Sequence, residues 1–451
     1  MTISNLHTTA AISTLGDSEQ DRALLERFQP IFDHIASGTL QREKNRTLPY
    51  DEVKWLRHAG FGALRIPKSH GGPGATLPQL FRLIRLLAEA DSNLAQIFRA
   101  NFGFVEGLLN NDANEANRTR WFPRIAAGEI VGAAMAERAT TTDNSVALTR
   151  EGRHWRLNGV KYYSTGALFA DWISVAASDG TDRFSVIVSA AAPGVTRLDD
   201  WDGFGQRLTA SGTTRFDNVL VDEQSLLRRF TVGEGRGDSY ITAFYQQVHL
   251  STLAGIAQSI LRDAIEFTRN RTRTFGIPGQ SSPRNDPLVK RVIGRLSSLA
   301  YSAVALTDRV SLELENVWQA AQAGTARPED YTNADIRAFQ VQQILLDQVL
   351  EASSLLFEVG GASATSTDRA FDRHWRNART LASHNPASLR ASYLGDYYLN
   401  GVAPSSGWQK RFAEAQARRN PEEVASEIPP QAANDDVDAK VIPITATAAA
   451  S

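Results

Sequence analysis

The stretch Glu151-Gly152-Arg153-His154-Trp155-Arg156-Leu157-Asn158-Gly159-Val160, continuing as Lys161-Tyr162-Tyr163-Ser164-Thr165-Gly166, decides how the chain is read. Glu151-Gly152 and Asn158-Gly159 are turn dipeptides, and they flank Trp155, Leu157 and Val160. With the apolar runs Trp172–Ala177 and Phe184–Val188 downstream, the pattern predicts antiparallel strands joined by hairpins. On either side the apolar spacing turns helical, with the changes near Glu129 and Ser239.

Before the strands, Leu80, Leu83, Ile84, Leu87 and Ala88 recur at helical spacing, as do Leu94, Ile97, Phe98, Phe102 and Val105. After them come three long amphipathic stretches, around Ile241–Thr268, Leu288–Trp318 and Asn333–Val359, which pack most simply as a helical bundle. The expected organisation is therefore an α+β chain. Residues 19–128 form an N-terminal helical domain, 129–232 a central antiparallel β-domain (barrel or sandwich), and 233–415 a helical bundle. Residues 1–18 and 416–451 are small, polar or Pro/Ala-rich without period and read as disordered ends.

Composition removes several function classes. Lys+Arg 48 against Asp+Glu 50 leaves a net charge of -2, so no overall field draws in nucleic acid or an anionic bilayer. Zero cysteines exclude disulfides, thiolate metal sites and cysteine nucleophiles, and suit a reducing compartment. No apolar run reaches the roughly 18 residues of a membrane helix and the start lacks a signal-peptide pattern, so a soluble cytoplasmic protein is expected. Gly233, Gly235 and Gly237 have the wrong spacing for a dinucleotide turn and read as a loop before a helix. His70, His154 and His249 each stand alone in sequence, so no metal centre is expected.

Specific motifs fall on this helix–strand–helix order. They are Ile66-Pro67-Lys68-Ser69-His70-Gly71-Gly72-Pro73-Gly74, Leu157 through Gly166, Arg273-Thr274-Phe275-Gly276, Gly360-Gly361 and Arg376-Asn377-Ala378-Arg379. Over roughly residues 20 to 410 the chain resembles the acyl-CoA dehydrogenase superfamily. That resemblance implies an N-terminal helical domain, a central β-domain and a C-terminal four-helix bundle. It also implies a bound flavin and a homotetramer.

Dehydrogenases of this superfamily need a carboxylate to take a proton from carbon beside a thioester. The family's Glu-Gly slot falls here on Asn385-Pro386, and the alternative position on the first long helix reads Phe244-Tyr245-Gln246-Gln247, so neither place offers a proton acceptor. Asn385 is a favoured N-cap and Pro386 a favoured first helical residue, which predicts a helix starting there and places His384 just outside its N-terminus. A helix dipole in that sense would keep the ring neutral.

These replacements resemble the flavin-dependent monooxygenase branch typified by dibenzothiophene monooxygenase and the sulfur-acquisition oxidoreductases. Trp201-Asp202-Gly203-Phe204-Gly205-Gln206-Arg207, Ser211-Gly212, Gly360-Gly361-Ala362-Ser363-Ala364 and Asp372-Arg373-His374-Trp375-Arg376 carry it. It implies reduced FMN from a separate NAD(P)H:flavin reductase, O2, a C4a-hydroperoxyflavin and a small substrate, an organosulfur compound undergoing S-oxygenation or C–S cleavage. In the implied assignment His384, Thr165 and Ser164 serve the chemistry. Tyr163, Thr165, Trp201, Ser211, Arg273, Phe275, Gly360 and Gly361 hold the cofactor, and Phe98, Phe102, Phe244 and Tyr245 line a substrate pocket. Thr272 stands where FAD-binding relatives carry an arginine, which favours FMN and leaves FAD as the alternative. An acyl-CoA dehydrogenase with a relocated base is the competing reading.

Overall fold

A computed structural model of the chain describes residues 18–110, 115–137, 146–230, 238–271 and 282–405. The calls on the two ends and on Gly233, Gly235, Gly237, Thr272, Arg273 and Phe275 lie outside those residues, apart from Ser18. That serine caps the first helix by accepting a hydrogen bond from the Asp21 amide at 3.1 Å.

By spatial contact the chain divides into two compact units, one helical and one built on a sheet. The helical unit takes in the described parts of residues 18–128, 204–208 and 238–404. Its helices are α1 (Glu19–Asn45), α2 (Tyr50–His58), α3 (Leu77–Ile97), α4 (Arg99–Leu109), α5 (Glu115–Ala126), α6 (Ile241–Asn270), α7 (Pro287–Gln322), α8 (Pro328–Leu355), α9 (Asp372–His384) and α10 (Ala387–Asn400). The N-terminal helices and the bundle helices share this unit, with α3 and α6 apolar towards each other. Leu80, Ile84 and Leu87 have no exposed surface, nor have Phe244, Val248 and Ile260. Gly255 lets these helices nearly touch, since a Cβ there would lie 2.4 Å from the Arg85 carbonyl oxygen.

Capping fixes where the elements begin. Thr76 accepts from the Gln79 amide and Gln79 returns a bond to the Thr76 amide, a reciprocal cap that starts α3. Asp286 caps α7 ahead of Pro287. The Ile66–Gly74 motif is a turn in which Gly72 folds back on Ile66, and a Cβ would sit 2.2 Å from the Ile66 carbonyl oxygen.

The sheet unit contains β1 (Val131–Ala134), β2 (Ala147–Glu151), β3 (His154–Lys161), β4 (Trp172–Ser178), β5 (Arg183–Ser189), β6 (Val195–Arg197), β7 (Thr214–Val221) and β8 (Leu226–Phe230). Strand order is β6-β7-β3-β2-β4-β5-β8, with β1 beside β4. Most pairings are antiparallel as the hairpin signals predict, but β1–β4 and β2–β4 are parallel, so the sheet is mixed. Glu151-Gly152 turns the β2–β3 hairpin, with Gly152 at φ 61. Asn158-Gly159 does not make a turn. It lies inside β3 at a bulge, where the pairing with β7 shifts and Asn158 Oδ1 accepts the Asn218 amide at 2.7 Å. Leu157, Ile173, Val175, Val186, Phe216 and Val219 fill one core beneath this sheet.

Candidate active site

In the helical unit, α6 carries Tyr245 and His249 four residues apart, hence on one face. His249 is 1% exposed, and its ring centroid lies 4.3 Å from that of His384, edge to face. Arg99, the first residue of α4, spreads its guanidinium over the Tyr245 ring at 4.6 Å. One turn further along α4 stands Gly103, where a Cβ would fall 2.0 Å from the Tyr245 phenol oxygen, so only glycine leaves room for that ring.

A chain of amides runs from Arg390 to His384. Arg390 Nη1 donates to Gln246 Oε1 and, at 2.9 Å, to Gln342 Oε1. Asn385 Nδ2 donates to the same Gln246 oxygen at 2.8 Å, which turns Asn385 Oδ1 towards His384 Nδ1 at 3.2 Å. Arginine can only donate, so the polarity of every link follows from it. His384 therefore carries its hydrogen on Nδ1 and leaves Nε2 bare, a tautomer assigned through this network.

Both histidines are held neutral. Burial first, then the Arg99 guanidinium, keeps His249 well below the ordinary imidazole range. Burial, with Arg99 next, pushes His384 down to about 3 against the opposing hydrogen bond that its Nδ1 donates to Asn385. His384 is itself a solvent-exposed residue, and hydration there opposes this shift. Burial brings Arg99 and Arg390 each down to about 10. Asp335, 6% exposed, is pushed up to about 7 by burial, against the attraction of Arg390 and a bond from the Ala243 amide.

The helix boundaries correct the expectation for His384. It is the last residue of α9, Asn385 ends that helix without capping the next, and α10 starts at Ala387 after Pro386. A helix C-terminus favours a cation. The ring is neutral through burial and neighbouring arginines, the opposite of the dipole cause expected from sequence. His249 does not stand alone either; folding brings it to His384 from far away in the chain.

In the sheet unit, Ser164 and Thr165 lie in the turn after β3, not on a strand. Thr165 Oγ1 and Ser211 Oγ are 2.8 Å apart, and Thr209 Oγ1 lies 2.8 Å from the same Ser211 oxygen, forming a three-hydroxyl cluster. The turn is pinned by Ser164 N to the Gly212 carbonyl and Gly166 N to the Thr209 carbonyl. Ser164 is 1% exposed and its hydroxyl has no hydrogen-bond partner. Tyr163 adopts φ 55 and stands 46% exposed, with its ring 6.1 Å from that of Trp201. An orphaned hydroxyl, a hydroxyl cluster and an aromatic pair supply the donors, acceptors and flat surface that a flavin ring needs, so these residues fit that cofactor.

The remaining candidates separate. Phe98 and Phe102 have no exposed surface and pack edge-on against Phe61 in an aromatic core, so they do not line a pocket. Phe244 is equally buried, against Phe81. Tyr245 alone of the four is half-buried and reaches the histidine cluster. Gly360 has a packing reason of its own, since a Cβ would lie 2.1 Å from the Phe267 ring; Gly361 turns the chain at φ 53. Sequence reasoning missed Arg99, His249, Gln246, Arg390 and Thr209 as site residues. The one signal available was the spacing of Tyr245 and His249 on a single helix face.

Comparison with known proteins identifies the family. The N-terminal, middle and C-terminal domain families of acyl-CoA dehydrogenase match residues 18–129, 132–219 and 248–388. Dibenzothiophene monooxygenase of Rhodococcus qingshengii is 30% identical over 379 residues, covering 78% of this chain and 87% of its own. A Pseudomonas putida protein described as a probable FMNH2-dependent monooxygenase, SfnC, is 27% identical over 378 residues, covering 82% and 93%. The crystal structure of FMN-bound TdsC from Paenibacillus sp. A11-2 superposes with a TM-score of 0.78 at 26% identity, covering 85% of this chain and 99% of that one. With a relative at 30% identity over most of both chains and all three domain families in order, the chain belongs to the acyl-CoA dehydrogenase superfamily, in its branch of flavin-dependent monooxygenases.

Proposed function

We propose that this chain is the oxygenase component of a two-component system, taking reduced FMN from a separate NAD(P)H:flavin reductase and using O2 to oxygenate a small organosulfur substrate. The observation that carries the reading is the neutral His249–His384 pair tied to Asn385, where dehydrogenase chemistry needs a carboxylate base. Among the described residues, the acid that bears on this cluster is Asp335, which acts on it through Arg390.

Bound reduced FMN supplies the two electrons that activate O2. The Thr165–Ser211–Thr209 hydroxyl cluster, Ser164, Tyr163 and Trp201 are the residues that would hold the flavin, through hydrogen bonds and aromatic contact. His384 accepts a hydrogen bond at the bare Nε2, and its depressed pKa makes a proton taken there easy to pass on. His249 seals the inner side of the His384 ring from water. Membership of the superfamily supports a homotetramer. No described helix is long and apolar enough to cross a membrane, and with the absence of cysteine this supports a cytoplasmic location.

Stopped-flow mixing of the anaerobic protein and FMNH2 with O2, in the presence of thioether or sulfone substrates, tests the proposal. Oxygenated product with little free hydrogen peroxide is expected. Bleaching of the flavin by an acyl-CoA without any reductase would overturn it in favour of desaturation.

A further inference from the structure

Arg99 is a half-buried cation without an acidic partner among the described residues. Its guanidinium lies on the Tyr245 ring, its Nε is buried without a hydrogen-bond acceptor, and no ion pair engages it. Its neighbours do not neutralise it. His249 and His384 carry no charge and Arg390 is a second cation. Asp335 answers Arg390, leaving Arg99 uncompensated.

Removing a guanidinium from water is costly unless an anion joins it, and an aromatic face returns only part of that cost. A neutral polycycle can only stack on such a cation and leaves its charge unmet. An oxyanion, in contrast, would complete it: the guanidinium presents a planar fork of donors matched to a sulfinate or carboxylate. The buried His249 Nε2, also without a partner, adds a second polar atom in the same cluster still lacking its complement.

We infer that Arg99 is the anchor for an anionic group on the substrate, so that the organosulfur compound bound beside His384 carries a sulfinate or carboxylate. This rests on the monooxygenase reading for the identity of the site, but the preference for an anion can be read by binding alone.

The test uses the FMN-loaded protein and matched probes in two sizes: methanesulfinate against dimethyl sulfone, and benzenesulfinate against methyl phenyl sulfone. Binding is followed by the flavin absorbance and by calorimetry in wild type, Arg99→Gln and Arg99→Lys. Wild type is expected to favour a sulfinate over its neutral counterpart by about tenfold or more. Arg99→Gln should abolish that preference, Arg99→Lys should keep much of it, and FMN affinity should stay the same in all three. Equal affinity for the two classes, a preference for the sulfones, binding of no probe, or an undiminished preference in Arg99→Gln would each overturn the inference. Loss of FMN affinity in Arg99→Gln would give the guanidinium to the flavin phosphate and overturn it as well. None of these results depends on oxygen chemistry. Failure to oxygenate with the sulfinate preference intact would sink the proposed function and leave the anchor standing.

Discussion

The rings of His249 on α6 and His384 at the end of α9 meet edge to face with centroids 4.3 Å apart, and neither is charged. A protonated ring at either position would feel the two guanidinium groups of Arg99 and Arg390. The pair is therefore stable as neutral imidazoles, with the proton on His384 fixed to Nδ1 by Asn385.

Replacing His384 with Ala removes the acceptor Nε2. Coupled product formation should fall by about 100-fold or more, within the range for a lost proton-transfer group. Peroxide released per FMNH2 oxidised should rise while FMN affinity holds. Unchanged coupling would take His384 out of the chemistry.

Asn385→Asp places a carboxylate against His384 Nδ1. An adjacent negative charge stabilises imidazolium, so the His384 pKa must rise and the acid limb of the pH–rate profile must move to higher pH. Proton NMR titration of the His384 ring gives the same quantity directly. A His384 titration that does not move would show that Asn385 makes no contact with the ring in solution.

Acid should destabilise the helical unit through His249. Its folded pKa is depressed, so the unfolded chain takes up a proton near pH 6.5 while the folded chain does not, and stability present above that pH is lost as pH falls. His249→Gln removes this contribution. The drop in Tm between pH 7.5 and 5.5 is expected to be smaller in the variant; equal drops would contradict the assignment.

Gly103→Ala drives a methyl group into the Tyr245 ring and should cost about 1–3 kcal/mol of stability by overpacking. Adding Tyr245→Ala clears the space, so the double variant should recover part of the loss contributed by Gly103→Ala. Strict additivity in denaturant melts would mean that the two residues do not touch.

The histidine in the dehydrogenase base slot was legible from residue types, since His384 and Asn385 replace an acid at a countable position. Thr165 and Ser211 were legible individually, but their shared contact with Thr209 was not. Arg99 gave no signal at all, because an arginine at the start of an amphipathic helix ordinarily faces water. Phe98 and Phe102 misled because an aromatic stripe looks the same whether it faces a ligand or Phe61.

The order of elements and the loss of the carboxylate are readable along the chain, because apolar period, turn dipeptides and residue chemistry are local properties. Folding in three dimensions set β1 parallel to β4, packed α3 on α6, and gathered His249, His384, Arg99 and Arg390 into one cluster. Those outcomes depend on distances between residues remote in the chain. The burial and mutual charge that set the state of each side chain exist only once those distances are fixed.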